Sequence, residues 1–247
     1  MFSRRWLATT LLVVVALAVT ILMGFWQLER ARESQAADNH LLSMQKAPLL
    51  VLDEAALALD LTGMEYRQVV VNGTYDFDHQ VALRNQYWGD TDGPAQYGFH
   101  LLTPLILNSG QAVLVDRGWI PGEFSTPGSW SRFNETNVNG ITGIIRVPVL
   151  MGEMGSGVPN PAPVPGQTLA FWNYIDLDRI QSQIPYQLLP IYIEQAPLGD
   201  PVALPYRSLP TLVLDDVPHL GYALMWAFFA CLLLFGYPFY LRRYFIS

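Results

Sequence analysis

Two long stretches of the chain carry no charged side chain, one near each end. They run from Trp6 to Trp26 and from Leu220 to Leu241. At about 1.5 Å rise per residue, a helix of either length crosses a hydrocarbon core of roughly 30 Å. The first stretch is longer than the apolar core of a cleaved signal peptide, and no small-residue cleavage site follows it. The pattern therefore predicts a membrane protein with two transmembrane helices, over residues 1–26 and 218–243.

The first helix is expected to continue beyond its apolar stretch. Residues 27–46 contain neither glycine nor proline and are rich in good helix formers, whereas Pro48 cannot continue a helix. We therefore expect a helical stalk that reaches about residue 46. A second, short helix is predicted over Asp53–Asp60, because acidic residues open its first turn and Gly63 follows it.

Between residues 66 and 195 the pattern changes to short apolar runs separated by turn residues. Some of these runs alternate apolar and polar positions, as strands with one buried face do. Asn108-Ser109-Gly110 indicates a hairpin turn, Gly73 indicates a bend, and the Pro- and Gly-rich residues 151–166 indicate a loop. Strands are predicted at Tyr66–Tyr75, Gln80–Gln86, Tyr97–Leu107, Gln111–Trp119, Val138–Leu150, Leu169–Ile175 and Ile191–Gln195, with a short helix at Asp176–Ile184.

This order of elements predicts an α+β fold. One β-rich domain over residues 27–217, either a sandwich or a half-closed barrel with a few helices, is flanked by the two transmembrane helices. A domain of about 190 residues can bury a core of useful size. The only cysteine, Cys231, lies in the second apolar stretch, so no disulfide is available to the domain.

The distribution of charge predicts how the chain crosses the membrane. Outside residues 27–217 the only charged side chains are those of Arg4, Arg5, Arg242 and Arg243, whereas all 21 acidic residues lie within that segment. Basic flanks stay on the cytoplasmic side. Both termini are therefore predicted to be cytoplasmic and the central domain extracytoplasmic, in the cell (inner) membrane. An acidic domain of this kind does not attract nucleic acid.

The signatures of hydrolytic enzymes and of metal sites are missing from the sequence. It contains no His-Glu-x-x-His and no Gly-x-Ser-x-Gly motif. The aspartates at Asp76 and Asp90 lack the spacing of a calcium loop, and turn chemistry explains them. We therefore predict a protein that is not an enzyme and has no dedicated metal site.

His219 and Trp226 are the candidate site residues. Seven residues, about two helical turns, separate them, so they lie on nearly the same helix face. An imidazole at the membrane border above an aromatic ring could receive a flat apolar cofactor, since histidine is a common ligand of haem iron. Asp215 or Asp216 could cap the helix or hydrogen-bond the far ring nitrogen. The alternatives are an interfacial anchor for His219 and packing against the first helix for Trp226.

A second notable segment ends a predicted strand and runs Val115-Asp116-Arg117-Gly118-Trp119-Ile120-Pro121. In one interpretation, Arg117 pairs with an internal carboxylate or carbonyl and Gly118 permits a sharp bend. In the other, Arg117 and Trp119 face the membrane or a partner. The sequence leaves both open.

Taken in order, the motifs resemble those of the Surfeit-locus family of assembly factors for cytochrome c oxidase, found in bacteria and mitochondria. The resemblance spans nearly the whole chain. It rests on Gly24-x-Trp26-Gln27-Leu28-x-Arg30, Tyr66-Arg67 with Val69 and Gly73, Thr103-Pro104-Leu105, Val115-x-Arg117-Gly118-Trp119-x-Pro121, and His219-Leu220-Gly221-Tyr222-Ala223 with Trp226.

The resemblance implies a role in maturing the haem–copper oxidase. Family members are thought to receive haem a from its synthase and to help insert it into the catalytic subunit of the oxidase, which makes these two proteins the implied partners. The implied haem-binding residues are His219 and Trp226. The family commonly has two asparagines before the histidine, whereas this chain has Val217-Pro218, which leaves Asp215 and Asp216 as the nearby polar support. The alternative is a membrane scaffold that binds the oxidase catalytic subunit without haem.

Overall fold

The computed structural model describes residues 4–89, 94–135, 140–149, 157–164, 166–197, 203–209 and 217–246. The chain divides into two compact units. Residues 1–40 and 212–247 form a helical unit, and residues 41–211 form a unit built on a β-sheet. These divisions differ from the domain boundaries predicted at residues 26 and 217, because the helical unit includes most of the expected stalk.

The N-terminal helix, α1, runs over Arg4–Lys46. It passes the end of the apolar stretch without a break and stops two residues before Pro48, as the absence of glycine and proline in residues 27–46 leads one to expect. Its large apolar side chains are turned outward. Leu11 is 66% exposed and Phe25 is 67% exposed.

The C-terminal helical segment has three parts. Helix α3 runs over His219–Cys231, a π-helical turn follows at Leu232–Gly236, and helix α4 runs over Tyr237–Ile246. Pro238 explains the interruption, because it has no N–H to donate to the carbonyl of Leu234, four residues earlier.

Two helical segments are long and apolar enough to cross a membrane, Trp6–Lys46 and His219–Arg243. Few of the side chains in their apolar windows are buried. A core helix of a soluble protein would hide such a surface, whereas an apolar surface that is mostly exposed suits a lipid environment.

The two helices of this unit pack along one seam. The less exposed residues recur at alternating intervals of four and three, which is the period of a left-handed helix pair. On α1 this series is Trp6, Thr10, Val13, Leu17, Thr20, Gly24 and Gln27, and on the C-terminal segment it is His219, Ala223, Trp226, Ala230, Leu233 and Tyr237. The hydroxyl groups of Thr10 and Tyr237 lie 2.7 Å apart across the seam.

The second unit is one mixed sheet of nine strands. Its path is β1-β2-β7-β9-β6-β5-β4-β8, and β3 pairs with β5 off that path. The β1–β2, β4–β8 and β6–β9 pairs are parallel, and the others are antiparallel. The strands are β1 (Leu50–Val51), β2 (Gln68–Val71), β3 (Thr74–Tyr75), β4 (Val81–Trp88), β5 (Gln96–Ile106), β6 (Ala112–Pro121), β7 (Ile141–Arg146), β8 (Phe171–Trp172) and β9 (Leu188–Gln195).

The predicted sandwich is wrong, because the described strands belong to one sheet. The path given above is open, with β1 and β8 at its ends, which is compatible with the other predicted form, a half-closed barrel. Strand β6 lies near the centre of this sheet and is buried on both faces. Val113 and Val115 pack into one apolar cluster with strands β2, β7 and β9, whereas Ala112 and Leu114 pack into another with Trp172 and Ile180. Alternation of apolar and polar residues along the strands predicts one buried face, so it could not show that both faces of this sheet are covered.

Several local predictions are confirmed. Gly110 turns the β5–β6 hairpin with a φ of +85°. The strand predicted at Tyr66–Tyr75 breaks at Gly73, where an added Cβ would lie 2.5 Å from the carbonyl oxygen of Ile106. Short helix α2 spans Leu177–Gln181 and is capped by Asp176, whose side chain accepts a hydrogen bond from the Arg179 N–H.

The helix predicted over Asp53–Asp60 is wrong in extent. That segment contains only the 3₁₀ turn Ala56–Ala58, because Leu59 adopts an extended conformation and the Asp60 carboxylate bonds the N–H of Thr62 beyond it. The other 3₁₀ turns are Thr62–Met64, Phe77–His79, Gly122–Phe124 and Pro127–Phe133. The predicted strands over Val138–Leu150 and Leu169–Ile175 shorten to β7 and β8 within the described residues. The predicted loop at 151–166 lies partly outside the described residues, and its described residues, 157–164 and 166, contain neither helix nor strand. The acidic turn at Asp90 lies outside the described residues.

Candidate functional site

His219 begins helix α3 and lies on the seam with α1. Its Nδ1 is 2.9 Å from the Oε1 atom of Gln27, a residue 192 positions earlier in the chain. The imidazole is half-buried, so one part of the ring faces the neighbouring helix and another part reaches the surface. The backbone N–H of His219 donates to the carbonyl of Val217, 2.7 Å away. The first turn of α3 and the end of the apolar part of α1 thus hold this ring in place.

Trp226 lies two turns further along the same face of α3. Its Cβ would be 3.6 Å from a Cβ added to Gly24, which shows that the two helices approach closely at this level. The indole is half-buried and meets the ring of Phe229 edge-on, with 6.3 Å between ring centroids. The expectation that His219 and Trp226 share a helix face agrees with this arrangement. The alternative prediction, that Trp226 packs against the first helix, also agrees with the short distance between Trp226 Cβ and Gly24.

Gln27 is the residue whose role sequence reasoning missed. Asp215 and Asp216, the expected polar support of His219, lie outside the described residues. The expectation that only these aspartates support the imidazole is wrong, because the side-chain amide of Gln27 bonds it across the seam. The motif around Trp26 contained this glutamine, but only the packing of two distant helices reveals its partner.

A second polar site lies in the sheet unit, around Arg117 of β6. This side chain is fully buried and donates a hydrogen bond to the carbonyl of Phe133. Its guanidinium lies 3.5 Å from the carboxylate of Glu135 and about 5 Å from the ring centroids of Tyr75 and Phe77. Burial lowers the pKa of the Arg117 guanidinium, and the charge of Glu135 opposes that effect. The interpretation in which Arg117 pairs with an internal carboxylate or carbonyl is confirmed.

Gly118 and Trp119 join β6 to the segment 203–209. Gly118 has a φ of +111°, and an added Cβ would lie 2.5 Å from the carbonyl oxygen of Tyr206. The backbones of Trp119 and Tyr206 exchange two hydrogen bonds of 2.8 Å, and their rings stack at 5.8 Å. Trp119 is fully buried, so the interpretation in which Arg117 and Trp119 face a membrane or partner is wrong.

Adjacent strands bring four ionisable residues into a row. His100 Nδ1 lies 2.7 Å from Asp116 Oδ2, Asp116 is paired in register with Glu194, and Glu194 accepts from Arg146 at 3.0 Å. Burial lowers the pKa of His100, but the charge and hydrogen bond of Asp116, helped by the charge of Glu194, outweigh burial and raise that pKa above 6.5. Burial and the charge of Asp116 raise the pKa of the Glu194 carboxyl.

Asp76 acts as a turn residue, as predicted. Its carboxylate accepts from the N–H of Asp78 at the start of the 3₁₀ turn Phe77–His79. The same carboxylate contacts Nδ1 of His79 at 2.7 Å and the hydroxyl of Tyr186 at 2.8 Å. Burial raises the pKa of Asp76, but the hydrogen bonds from Tyr186 and His79 prevail and lower it below its usual value.

Comparison with known proteins assigns the chain to a family. A model described as the SURF1 family matches residues 14–231, which include the sheet, part of the seam and both candidate site residues. The chain belongs to the SURF1 family. Its resemblance to the Surfeit-locus proteins is thereby confirmed.

Several SURF1-like proteins are similar to this chain over part or most of their length. A SURF1-like protein of Monosiga brevicollis is 26% identical over 218 residues, which cover 84% of this chain and 78% of the relative. One from Caenorhabditis elegans is 22% identical over 248 residues, covering 91% of this chain and 71% of the relative. A bacterial one, from Rickettsia bellii, is 30% identical over 111 residues, covering 45% of this chain and 43% of the relative.

Proposed function

We propose that this SURF1 family protein is a membrane-anchored assembly factor for cytochrome c oxidase. It holds haem a transiently at the outer face of the membrane and assists its insertion into the catalytic subunit. The partners are the catalytic subunit and haem a synthase, and both termini lie in the cytoplasm. The observation that carries the proposal is the position of His219, half-buried and hydrogen-bonded at the start of an apolar helix, with Trp226 on the same face.

The residues at the seam fit a porphyrin on the side of the helix pair. Haem a supplies an iron that takes imidazole as an axial ligand. The approach of Gly24 to Trp226 leaves no space for a flat ring between the helices at that level. Exposed apolar side chains flank His219 on α3, among them Leu220 at 59% and Tyr222 at 43% exposure. His219 would hold the iron, and these side chains would contact the apolar macrocycle.

A transfer site has to release what it holds. One half-buried imidazole at the edge of a helix pair binds more weakly than a closed cavity with two axial ligands. The half-exposed ring of His219 suits this requirement, since a partner protein can approach it from the lipid side.

The role proposed here is not catalytic. The imidazoles of His79 and His100 each contact a carboxylate, and in the described residues neither is hydrogen-bonded to a serine, threonine or cysteine that it could activate. A pocket of about 230 Å³ beside Trp172 contains a single ionisable residue, Arg179. Neither arrangement combines a nucleophile with a base.

Replacement of His219 tests the proposal directly. The protein purified from cells that make haem a should carry a haem absorption spectrum, and His219→Ala should lose most of it because the iron ligand is removed. His79→Ala, which removes an imidazole from the sheet unit, is the matched control and should keep the spectrum. Equal haem content in the native and His219→Ala proteins would contradict a role for His219.

The rival function is a haem-independent scaffold that binds the oxidase catalytic subunit. The exposed apolar helices favour it as much as they favour the first proposal, because either role needs a lipid-embedded contact surface. The rival expects the catalytic subunit to co-purify with a protein that has no bound chromophore. It also expects His219→Ala to assemble oxidase at the native level.

A further inference from the structure

We infer that Gln27 is the positioning residue of the imidazole, holding His219 so that its Nε2 atom is presented to iron. This inference rests on the proposed function. Gln27 lies on α1, whereas the two candidate haem-binding residues lie on α3, so the site would be built from both helices rather than from one. The observation behind it is the 2.9 Å contact between His219 Nδ1 and Gln27 Oε1.

The chemistry of the two atoms defines the tautomer. An amide oxygen can only accept a hydrogen bond, so the proton between the two groups belongs to Nδ1. In a neutral imidazole with its proton on Nδ1, the lone pair that binds a metal lies on Nε2. Histidines that ligate metals commonly donate their other ring N–H in this way, and loss of that partner typically weakens metal binding about 10- to 100-fold.

The position of Gln27 supports the same conclusion. Gln27 follows Gly24 by one helical turn, and the close approach of the helices at Gly24 brings the glutamine side chain within reach of α3. An amide at an apolar border is costly unless it is hydrogen-bonded, so the pair is held together on energetic grounds as well. The family commonly has two asparagines before this histidine, whereas this chain has Val217 and Pro218 at those positions. The bond from Gln27 therefore supplies an amide beside the histidine from the other helix.

The competing explanation is that the hydrogen bond between Gln27 and His219 only stabilises the packing of the two helices. The chain contains a control for this explanation. Thr10 and Tyr237 form a side-chain hydrogen bond of 2.7 Å across the same seam, 17 residues away along α1. At about 1.5 Å per residue that is roughly 26 Å from Gln27. Removing the Thr10 bond removes an interhelical pin without touching the imidazole.

The first test uses the haem-free full-length protein in detergent micelles. ¹⁵N spectra of labelled histidine distinguish a ring protonated on Nδ1 from one protonated on Nε2, and the His219 signals are assigned by their absence from His219→Ala. We expect the Nδ1–H form in the native protein and in Gln27→Glu, which keeps an acceptor. Gln27→Leu should shift the ring toward the Nε2–H form, and Thr10→Val should not. An unchanged tautomer in Gln27→Leu would overturn the inference.

The second test measures binding of added ferric protoporphyrin IX by absorption. Gln27→Leu should weaken binding about 10- to 100-fold, with Gln27→Glu and Thr10→Val close to native. Helical content and melting temperature of each variant establish whether it folds, and Gln27→Met provides a second apolar replacement of similar length. If His219→Ala loses binding but both apolar variants bind normally, the role of Gln27 is refuted alone. If His219→Ala binds normally, the proposed haem site itself is refuted, and the ¹⁵N spectra still report whether Gln27 sets the tautomer.

Discussion

Arg117, Gly118 and Trp119 are three consecutive residues that perform two different physical tasks. The arginine supplies a buried charge to the Phe133 carbonyl and to Glu135, and Arg207 joins the group through Glu135 and through the carbonyl of Arg117. A buried cation with such partners is costly to disturb, because removing one partner leaves the other unpaired. The next two residues attach segment 203–209 to β6, so one short motif secures two otherwise distant parts of the sheet unit.

Gly118→Ala is expected to destabilise the sheet unit more than the loss of one ordinary contact would. A φ of +111° is strained for any residue with a Cβ, at about 1–3 kcal/mol, and the new Cβ would also meet the Tyr206 carbonyl. Thermal unfolding of the full-length protein measures the effect. Gly110 has a φ of +85°, and a Cβ added there would have no atom within 4 Å, so Gly110→Ala should cost only the backbone strain. A Cβ added to Gly128 would also lie in open space, so Gly128→Ala should be close to neutral. Equal melting temperatures for Gly118→Ala and Gly128→Ala would contradict this account.

At the scale of elements, strand pairing places side chains beside each other that are far apart in the chain. The pairing of β5, β6, β9 and β7 brings the side chains of His100, Asp116, Glu194 and Arg146 together across the sheet, although only Asp116 and Glu194 are in register. In the helical unit, the seam aligns Gln27 with His219 and Gly24 with Trp226 in the same way. Both arrangements need two elements to meet, and in both a polar group is buried only because its partner arrives from the other element.

The His100–Asp116 pair should make the stability of the sheet unit fall as pH rises above 6.5. The pKa of His100 is raised above 6.5 in the folded protein. The contribution of the protonated imidazole to the free energy of unfolding is therefore complete below pH 6.5, and it is lost as pH rises through the raised pKa. Melting temperatures of native protein and His100→Gln across this range measure it, and the variant should show the smaller decline. Parallel curves for native protein and His100→Gln would argue against the pair.

For the whole molecule, charge and exposed apolar surface have to be satisfied together. The helical unit exposes apolar side chains along both long helices. Near the two chain termini it carries Arg4, Arg5, Arg242 and Arg243. All 21 acidic residues lie in residues 27–217. In the proposed orientation, a bilayer around the helices, with the basic ends inside, would cover the apolar surface and keep the acidic segment in water.

Cysteine labelling tests this topology. In a Cys231→Ser background, Gly128→Cys should react with a membrane-impermeant maleimide added to intact cells, because the site is in open space on the sheet unit. A cysteine appended after Ser247 should react only after the membrane is permeabilised. Labelling of the appended cysteine in intact cells would place the C-terminus outside and would invalidate the proposed orientation.

Local rules were sufficient for several features of this protein. The two apolar helices follow from runs of uncharged residues, the hairpin follows from Asn108-Ser109-Gly110, and the break within the first strand follows from Gly73. Each depends on properties of neighbouring residues, such as hydropathy over one span or the freedom of one glycine. The resemblance to a family could also be recognised from the sequence alone, because it rests on the order of short motifs along the chain.

The sheet and the imidazole's partner depended on contacts between distant segments. A sandwich and a single mixed sheet use the same short strands, so only the pairing of β6 with β9 and of β2 with β7 distinguishes them. Composition and periodicity placed His219 at a helix start, but they could not select Gln27, which lies 192 residues away. The sequence by itself determined which segments are apolar helices and where the chain turns, since those are local energies. Tertiary structure decided strand order and the polar partner of His219, since both depend on which surfaces meet.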